Sequence, residues 1–369
     1  MPTYPFLTDL VRDLPATVPF VGPEALQRAR GRRFRVRLGA NESVFGPSPK
    51  AIAAMEAAAA GSFMYGDPEN HDLRVAIARH HGVGPENVAI GEGIDGLLGL
   101  TVKLAVAPGE VVVTSDGAYP TFNYHVAVGG GQLIKVPFRD DREDIGAVLE
   151  AGRASRAKII YISNPNNPMG SWWPAADIEA VIAQLPPTAL LCLDEAYSDT
   201  APPDAVPAID VSNPQVLRFR TFSKAYGLAG ARVGYALGEA GLIKVFDKIR
   251  NHYGMSRVGQ IGALAAIDDQ DYLARTVAAV AAARERIGMI ARDNGLEALP
   301  SATNFVAIDC GRDGAYARRV LDEIVARDVF VRMPGVAPLD RCIRVSVGTT
   351  ADLDVFAEVL PEALRAANG

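Results

Sequence analysis

The sequence predicts an α/β fold: a mostly parallel, doubly wound sheet of seven strands, with a smaller α+β domain after it. Three observations predict it. From Val88 to Leu237, short apolar runs alternate with polar loops and helical patterns, which is how βαβ units read in sequence. From Asp271 to Asn294 a long alanine-rich amphipathic stretch ends that alternation. Beyond it, three more apolar runs and two helical patterns fill the chain. The expected division is an N-terminal segment, residues 1–40, packing with the small domain; a large ligand-binding domain, 41–265; and a small C-terminal α+β domain, 266–369.

A chain of 369 residues can bury a real core. Its hydrophobic share of 49% and charged share of 22% are ordinary for a soluble globular protein. A net charge of −6 gives no reason to expect nucleic acid or an anionic membrane as partner. Cys192, Cys310 and Cys342 are odd in number, far apart and set in or beside apolar runs. Buried free thiols in a reducing compartment are therefore expected. The opening MPTYPFLTDLVRD lacks a basic region followed by an apolar core, so no signal peptide is expected. No apolar run approaches the ~20 residues that span a bilayer. A cytoplasmic protein is the expectation.

Taken in order, residues 1–40 are a lead-in. Pro19 and Pro23 bias the residues before them toward an extended backbone, and Phe34 to Leu38 alternates with arginines as a half-exposed strand does. Ala40 to Pro49 is a loop rich in turn formers. Ser48-Pro49 can open the alanine-rich helix behind it. Gly61 to Asn70 is a second loop, followed by a helix to about His81. The large-domain strands are expected at Val88–Ile90, Val111–Thr114, Leu133–Val136, Lys158–Ser163, Ala189–Leu193, Val216–Phe222 and Val233–Leu237. Helical patterns such as Leu97–Val106 and Ile178–Ala183 separate them. In the small domain, Thr303–Cys310, Val329–Met333 and Cys342–Val347 read as strands, with helices from about Ala315 to Ala326 and Asp352 to Ala366.

Ligands bind such sheets beyond the carboxyl ends of the strands. Four strand ends there carry chemistry. Ala189–Leu193 runs into Asp194-Glu-Ala-Tyr197, and a carboxylate closing an apolar strand needs a reason to be there. Lys158–Ser163 runs into Asn164-Pro-Asn-Asn-Pro-Met-Gly170, where two prolines stiffen a loop that can present an amide. Val216–Phe222 runs into Ser223-Lys224, with Gly227 and Gly230 making a tight turn behind it. A lysine so placed suits Schiff-base chemistry, which requires an unprotonated amine. Taken singly, each end has a plainer explanation: a surface aspartate, a crossover turn, a lysine leaving a strand.

The fourth end, Gly91-Glu-Gly-Ile-Asp-Gly96, is a literal G-x-G-x-x-G between a strand and a helix. Asp116 follows 20 residues past Gly96, at the end of the next strand. On paper this is a dinucleotide fingerprint, and it sustains an alternative reading as an NAD-dependent dehydrogenase. Either way, an anionic phosphate is expected on the amino end of the helix near Ile94.

Asn167-Pro-Met-Gly170, Asp194-x-x-Tyr197 and Ser223-Lys224 with Arg232 eight residues on resemble, as an ordered set, the signature of class I/II aminotransferases of PLP fold type I. These use pyridoxal 5′-phosphate (PLP). The resemblance runs from about Phe20 to the C-terminus. It is nearest to the histidinol-phosphate aminotransferase branch, through Asn41-Glu-Ser-Val-Phe-Gly-Pro-Ser-Pro49, Tyr65-Gly-Asp-Pro68 and the compact length. Met169 departs from the family's usual threonine, while the amide of Asn167 is kept.

The resemblance implies roles. Lys224 would hold PLP as a Schiff base and move the substrate proton. Asp194 would pair with the pyridine nitrogen, and Tyr197 and Asn167 would bond the ring's phenolic oxygen. Tyr119 would stack on the ring face. Thr221, Ser223 and Arg232, with the backbone of Gly93, Ile94 and Asp95, would bind the cofactor phosphate. Phe20, Asn41, Tyr65, Asn167, Arg332 and Arg344 would form the substrate site, with Arg344 as the anion clamp and Arg332 as a second arginine on a substrate phosphate. Tyr65 would reach the neighbouring subunit's site, which implies a homodimer. No metal is expected, and the partners are a small amino donor and a 2-oxo acid.

The reaction implied is amino transfer between histidinol phosphate and 2-oxoglutarate. Phe20 stands where that branch has a tyrosine, which makes the site more apolar and leaves an aromatic amino acid such as phenylalanine as an alternative substrate. Decarboxylation of a phosphorylated amino acid is a second alternative on the same cofactor. A PLP-binding regulator would need a DNA-binding module, and the lead-in is too short for one. Trp172-Trp173 reads as packing or interface surface.

Overall fold

The structure is a computed structural model that describes residues 4–16 and 21–369. Phe20 lies outside the described residues. Twelve strands, numbered in chain order, are formed among the described residues: β1 Val36–Arg37, β2 Val88–Gly91, β3 Val111–Ser115, β4 Gln132–Val136, β5 Ile159–Ser163, β6 Leu190–Asp194, β7 Val216–Thr221, β8 Gly234–Leu237, β9 Glu297–Ala298, β10 Phe305–Asp309, β11 Val329–Phe330 and β12 Cys342–Ser346.

Seven of them make one sheet in the order β2-β8-β7-β6-β5-β3-β4. Only β8 runs against its neighbours, β2 and β7; the pairs from β7 through β4 are parallel. β5, β6 and β7 are buried along almost their whole length. That fits strands covered by helices on both faces, which read as continuous apolar runs. Each expected strand of the large sheet falls within a residue or two of its predicted place.

The helices begin where the sequence offers caps. Ser48 Oγ accepts from the Ala51 N–H at 3.1 Å and opens Pro49–Ala59. Thr349 and Asp352 form a reciprocal capping box ahead of Thr350–Asn368. The long alanine-rich stretch is one helix, Gln270–Asp293.

β10 pairs antiparallel with both β12 and β9. β1 pairs in parallel with β11, Val36 opposite Val329, and alternation decides its faces: Phe34, Val36 and Leu38 are buried while Arg35 and Arg37 are exposed. Val36 and Leu38 join the apolar cluster made by the helices Gln270–Asp293, Gly314–Ala326 and Thr350–Asn368. The stretch expected as a strand over Val329–Met333 is regular only at β11; Arg332 beyond it makes an isolated backbone bridge to Arg344.

The topology corrects the dinucleotide reading. A dinucleotide site needs the strand before the glycines and the strand carrying the acidic residue side by side in parallel. Here β2 and β3 are separated by β8, β7, β6 and β5. Asp116 beyond β3 is paired with Lys135 at 3.6 Å.

Candidate active site

The parallel register sets the site. Ser163 is level with Asp194, and Asp194 with Phe219. So Asn164–Asn167, Asp194–Tyr197 and Thr221–Lys224 leave the sheet at one edge. Two adjoining cavities lie there. The inner one, about 280 Å³, is lined by Ile94, Asp95, Asp194, Tyr197, Thr221, Ser223 and Arg232 among others. The outer one, about 470 Å³, is lined by Asn41, Asp116, Asn123, Lys135, Arg332 and Arg344 among others. Tyr119, Asn167 and Lys224 line both.

Lys224 Nζ donates to the Asn41 carbonyl at 3.1 Å and lies 5.5 Å from the centre of the Tyr197 ring. Burial and then the charge of Arg344 lower its pKa to about 8. Asp194 is 6% exposed. Its oxygens accept from the Ala196 N–H at 2.9 Å and the Tyr161 hydroxyl at 2.6 Å. Burial pushes its carboxyl above the usual range, against those two bonds and the charge of Lys224.

Glu195, one residue on, turns away from the cavity. It accepts from Arg218 at 2.5 and 3.0 Å and from Arg220 at 2.9 Å. These are the arginines interleaved in the β7 sequence, and a fully buried carboxylate explains them.

Around the ring space, Asn41 Nδ2 donates to the Tyr197 hydroxyl at 3.1 Å. Arg344 Nη1 donates to Asn167 Oδ1 at 2.6 Å. Arg344 Nε is buried without a hydrogen-bond partner among the described residues. Burial lowers the Arg344 pKa to about 10, and neighbouring Arg332 acts in the same direction; it remains a cation at neutral pH. The two arginines exchange backbone hydrogen bonds at 2.6 and 3.2 Å, and Arg332 Nη2 donates to the Val21 carbonyl at 2.9 Å.

The inner end is shaped for an anion. Gly93 opens the helix Gly93–Ala105 with φ +77°. A Cβ there would stand 2.4 Å from Arg232 Nη2, so only glycine lets the guanidinium come so near. A Cβ on Gly234 would meet the Ile94 nitrogen at 2.6 Å, which brings β8 tight beneath that turn. A cation facing the positive end of a helix is unfavourable unless an anion lies between them. Thr221 and Ser223 add hydroxyls, with Thr221 Oγ1 donating to Ser223 Oγ at 2.9 Å. Asp95, which lines this cavity, has a side-chain partner of its own: Oδ1 lies 3.1 Å from His125 Nε2.

Tyr65 does not line either cavity. It is 77% exposed and packs on Tyr253, ring centres 4.8 Å apart.

Some residues that build the site carry no motif. Glu143 is fully buried behind the asparagine loop, where it accepts from Ser163 Oγ at 3.0 Å and Asn166 Nδ2 at 2.5 Å. Burial pushes its pKa up to about 7. Trp173 braces the same loop, donating from Nε1 to the Glu143 carbonyl at 2.9 Å and from its backbone N–H to Asn164 Oδ1 at 2.8 Å. Tyr161 had one signal: a tyrosine inside an apolar strand needs a partner for its hydroxyl.

An amine, a buried carboxylate and an anion cup at one sheet edge suit a phosphorylated aromatic carbonyl compound. The chain belongs to the class I and II aminotransferases, whose family profile matches residues 35–360. A histidinol-phosphate aminotransferase of Moorella thermoacetica is 31% identical over 98% of this chain and 94% of its own. The crystal structure of histidinol-phosphate aminotransferase from Sinorhizobium meliloti, in complex with pyridoxal 5′-phosphate, is 55% identical with a TM-score of 0.96, covering 98% of both chains. A Thermus thermophilus aspartate aminotransferase variant, 23% identical with a TM-score of 0.80 over 97% of this chain and 99% of its own, shares the fold.

Proposed function

We propose that the chain is a PLP-dependent aminotransferase that moves an amino group between histidinol phosphate and 2-oxoglutarate. The observation that carries the substrate reading is the pair Arg332 and Arg344. Two guanidinium-bearing residues joined through their backbones line one cavity beside Lys224. Such a pair suits a dianion, either a phosphate monoester or a dicarboxylate, which are the charged ends of the two substrates. The relatives named above act as the supporting comparison.

The residues fit the cofactor. Arg232, Ser223, Thr221 and the amino end of Gly93–Ala105 would take its phosphate. Tyr119 would cover one ring face, Tyr197 and Asn167 would bond the ring oxygen, and Asp194 would face the ring nitrogen. When bound, PLP supplies an electron sink for the carbanion formed at the substrate's α-carbon.

The chain supplies the rest. Burial strips Lys224 of part of its affinity for a proton, which raises the share of free amine able to attach to a carbonyl and to carry a proton to and from the α-carbon. Arg344 holds the substrate's anionic group while its bond to Asn167 ties that clamp to the ring's edge. Asp194, kept from water, is placed to hold a proton on the ring nitrogen.

The reading includes the division at residues 40 and 265, with the segment bearing β1 packed on the small domain's core. It also includes a homodimer. Phe63, Met64, Tyr65 and Tyr253 are exposed apolar side chains within two short segments, and a second copy would cover them and receive Tyr65 in its site. A cytoplasmic setting accords with the three cysteines, all buried and free. No helix among the described residues is long and apolar enough to cross a membrane.

The test is amino transfer from glutamate to imidazole acetol phosphate by the PLP-loaded chain, set beside phenylpyruvate as acceptor and beside carbon dioxide release from a phosphorylated α-amino acid. Turnover of the phosphorylated acceptor without carbon dioxide release is expected. Turnover confined to phenylpyruvate, or release of carbon dioxide, would replace the substrate or the reaction.

A further inference from the structure

We propose that Tyr161 is a positioning residue for Asp194: its hydroxyl keeps that carboxylate charged and aimed at the ring nitrogen of the bound cofactor. This rests on the PLP reading above and adds a residue to it.

The geometry starts with the sheet. Tyr161 stands on β5 two residues before Ser163, and Ser163 is level with Asp194 on β6. Residues two apart on a strand share a face. The tyrosine therefore lies on the same face as Asp194, one step lower, and its length carries the hydroxyl up to the carboxylate. The contact is 2.6 Å, and Tyr161 is fully buried.

The direction of the bond follows from the surroundings. Burial and the neighbouring carboxylate both hold the Tyr161 phenol protonated well above its ordinary range. The tyrosine is thus the donor and Asp194 Oδ2 the acceptor. The other oxygen, Oδ1, is fixed by the Ala196 N–H at 2.9 Å. One donor on each oxygen defines the carboxylate plane and leaves acceptor capacity for a further N–H. Among the described residues the Asp194 carboxylate accepts only these two hydrogen bonds. Without the hydroxyl, a carboxylate that burial already drives toward its neutral form would lose one of two donors.

The tyrosine is itself braced. Phe122 stacks on its ring, centres 4.4 Å apart and planes 15° apart. Phe122 belongs to the helix Pro120–Val128, which begins directly after Tyr119. One short helix thus steadies both the residue over the cofactor's expected ring face and the residue behind its expected nitrogen partner.

The variant Tyr161→Phe removes the hydroxyl and keeps the ring that stacks on Phe122. The probes are PLP and its 1-deaza analogue, in which carbon replaces the ring nitrogen. Affinities of the apo chain for both are measured by fluorescence titration, with no turnover involved. In the wild-type chain PLP should bind more tightly than the analogue. In Tyr161→Phe that ratio should narrow about tenfold, the equivalent of one pKa unit in the Asp194 contact, while affinity for the analogue stays within about twofold. A ratio that survives in the variant, or a parallel fall in both affinities, rejects the proposal and leaves the PLP reading standing. A wild-type chain that binds PLP no better than the analogue rejects the role of Asp194 and the proposal with it.

Discussion

Arg344 Nη1 and Asn167 Oδ1 are 2.6 Å apart. That bond ties β12 to the loop after β5, and in the proposed reading it joins the substrate clamp to the cofactor's rim. Among the described residues, the other guanidinium nitrogens of Arg344 have a long contact from Nη2 to the Gly39 carbonyl, 3.4 Å, and an unpartnered Nε. Arg344→Lys keeps a charge but loses the planar fork. A lost charge-assisted bond of ~1.5–3 kcal/mol should raise KM for glutamate and for the phosphorylated acceptor about 10–100-fold, read from initial rates. An unchanged KM for both would remove Arg344 from the anion site.

A Cβ on Gly93 would stand 2.4 Å from Arg232 Nη2, so the guanidinium would have to move aside. Gly93→Ala adds backbone strain at φ +77° and a methyl group where the guanidinium lies. The strain alone is of order 1–2 kcal/mol. The expected result is about tenfold weaker binding of PLP to the apo chain, with pyridoxal lacking the phosphate affected far less. Equal losses for both would place the phosphate elsewhere.

Lys224 should leave a mark on stability against pH. Its folded pKa, about 8, is lowered from 10.5, so between those values the unfolded chain binds the extra proton. Stability therefore rises with pH across that window. In the apo chain, wild type should gain on Lys224→Met between pH 8 and 10.5, as seen in paired denaturant titrations. A constant difference between the two would mean that burial does not perturb the lysine.

Glu143 should behave in the opposite sense. Its folded pKa is raised from 4.5 to about 7, so the folded chain holds the extra proton between those values and loses stability as pH rises through them. Glu143→Gln removes the titration. Its melting temperature relative to wild type should climb from pH 5 to pH 8. Glu143→Ala leaves Ser163 and Asn166 without their acceptor; it should cost about 2–4 kcal/mol at pH 5 and less at pH 8, because it lacks the same titration. A flat difference for the glutamine variant would show that Glu143 titrates normally.

Much of this was legible in the chain itself. The sheet strands show as apolar runs because both faces are covered, and Asp194, Asn167 and Lys224 announce themselves by standing where those runs stop. The glycine pattern Gly91 to Gly96 misleads as a dinucleotide motif, since sequence spacing carries no strand order, and in the sheet four strands stand between β2 and the β3 that leads to Asp116. Glu143 and Tyr161 are invisible for a different reason. Each acts through partners at least 20 positions away in the chain, Ser163 for one and Asp194 for the other, and no local pattern encodes a contact made by strand register. Arg218 and Arg220 show the same limit: as sequence they are two charges interleaved in a strand, and the bonds to Glu195 that hold them in the interior come from the neighbouring strand end.

The most direct measurement is borohydride reduction of the PLP-treated chain, followed by peptide mass mapping. The account predicts one phosphopyridoxyl group per chain, on Lys224, absent from Lys224→Ala, a variant that keeps its fold and has no amino-transfer activity. A label on any other lysine, or appreciable turnover in Lys224→Ala, would contradict it.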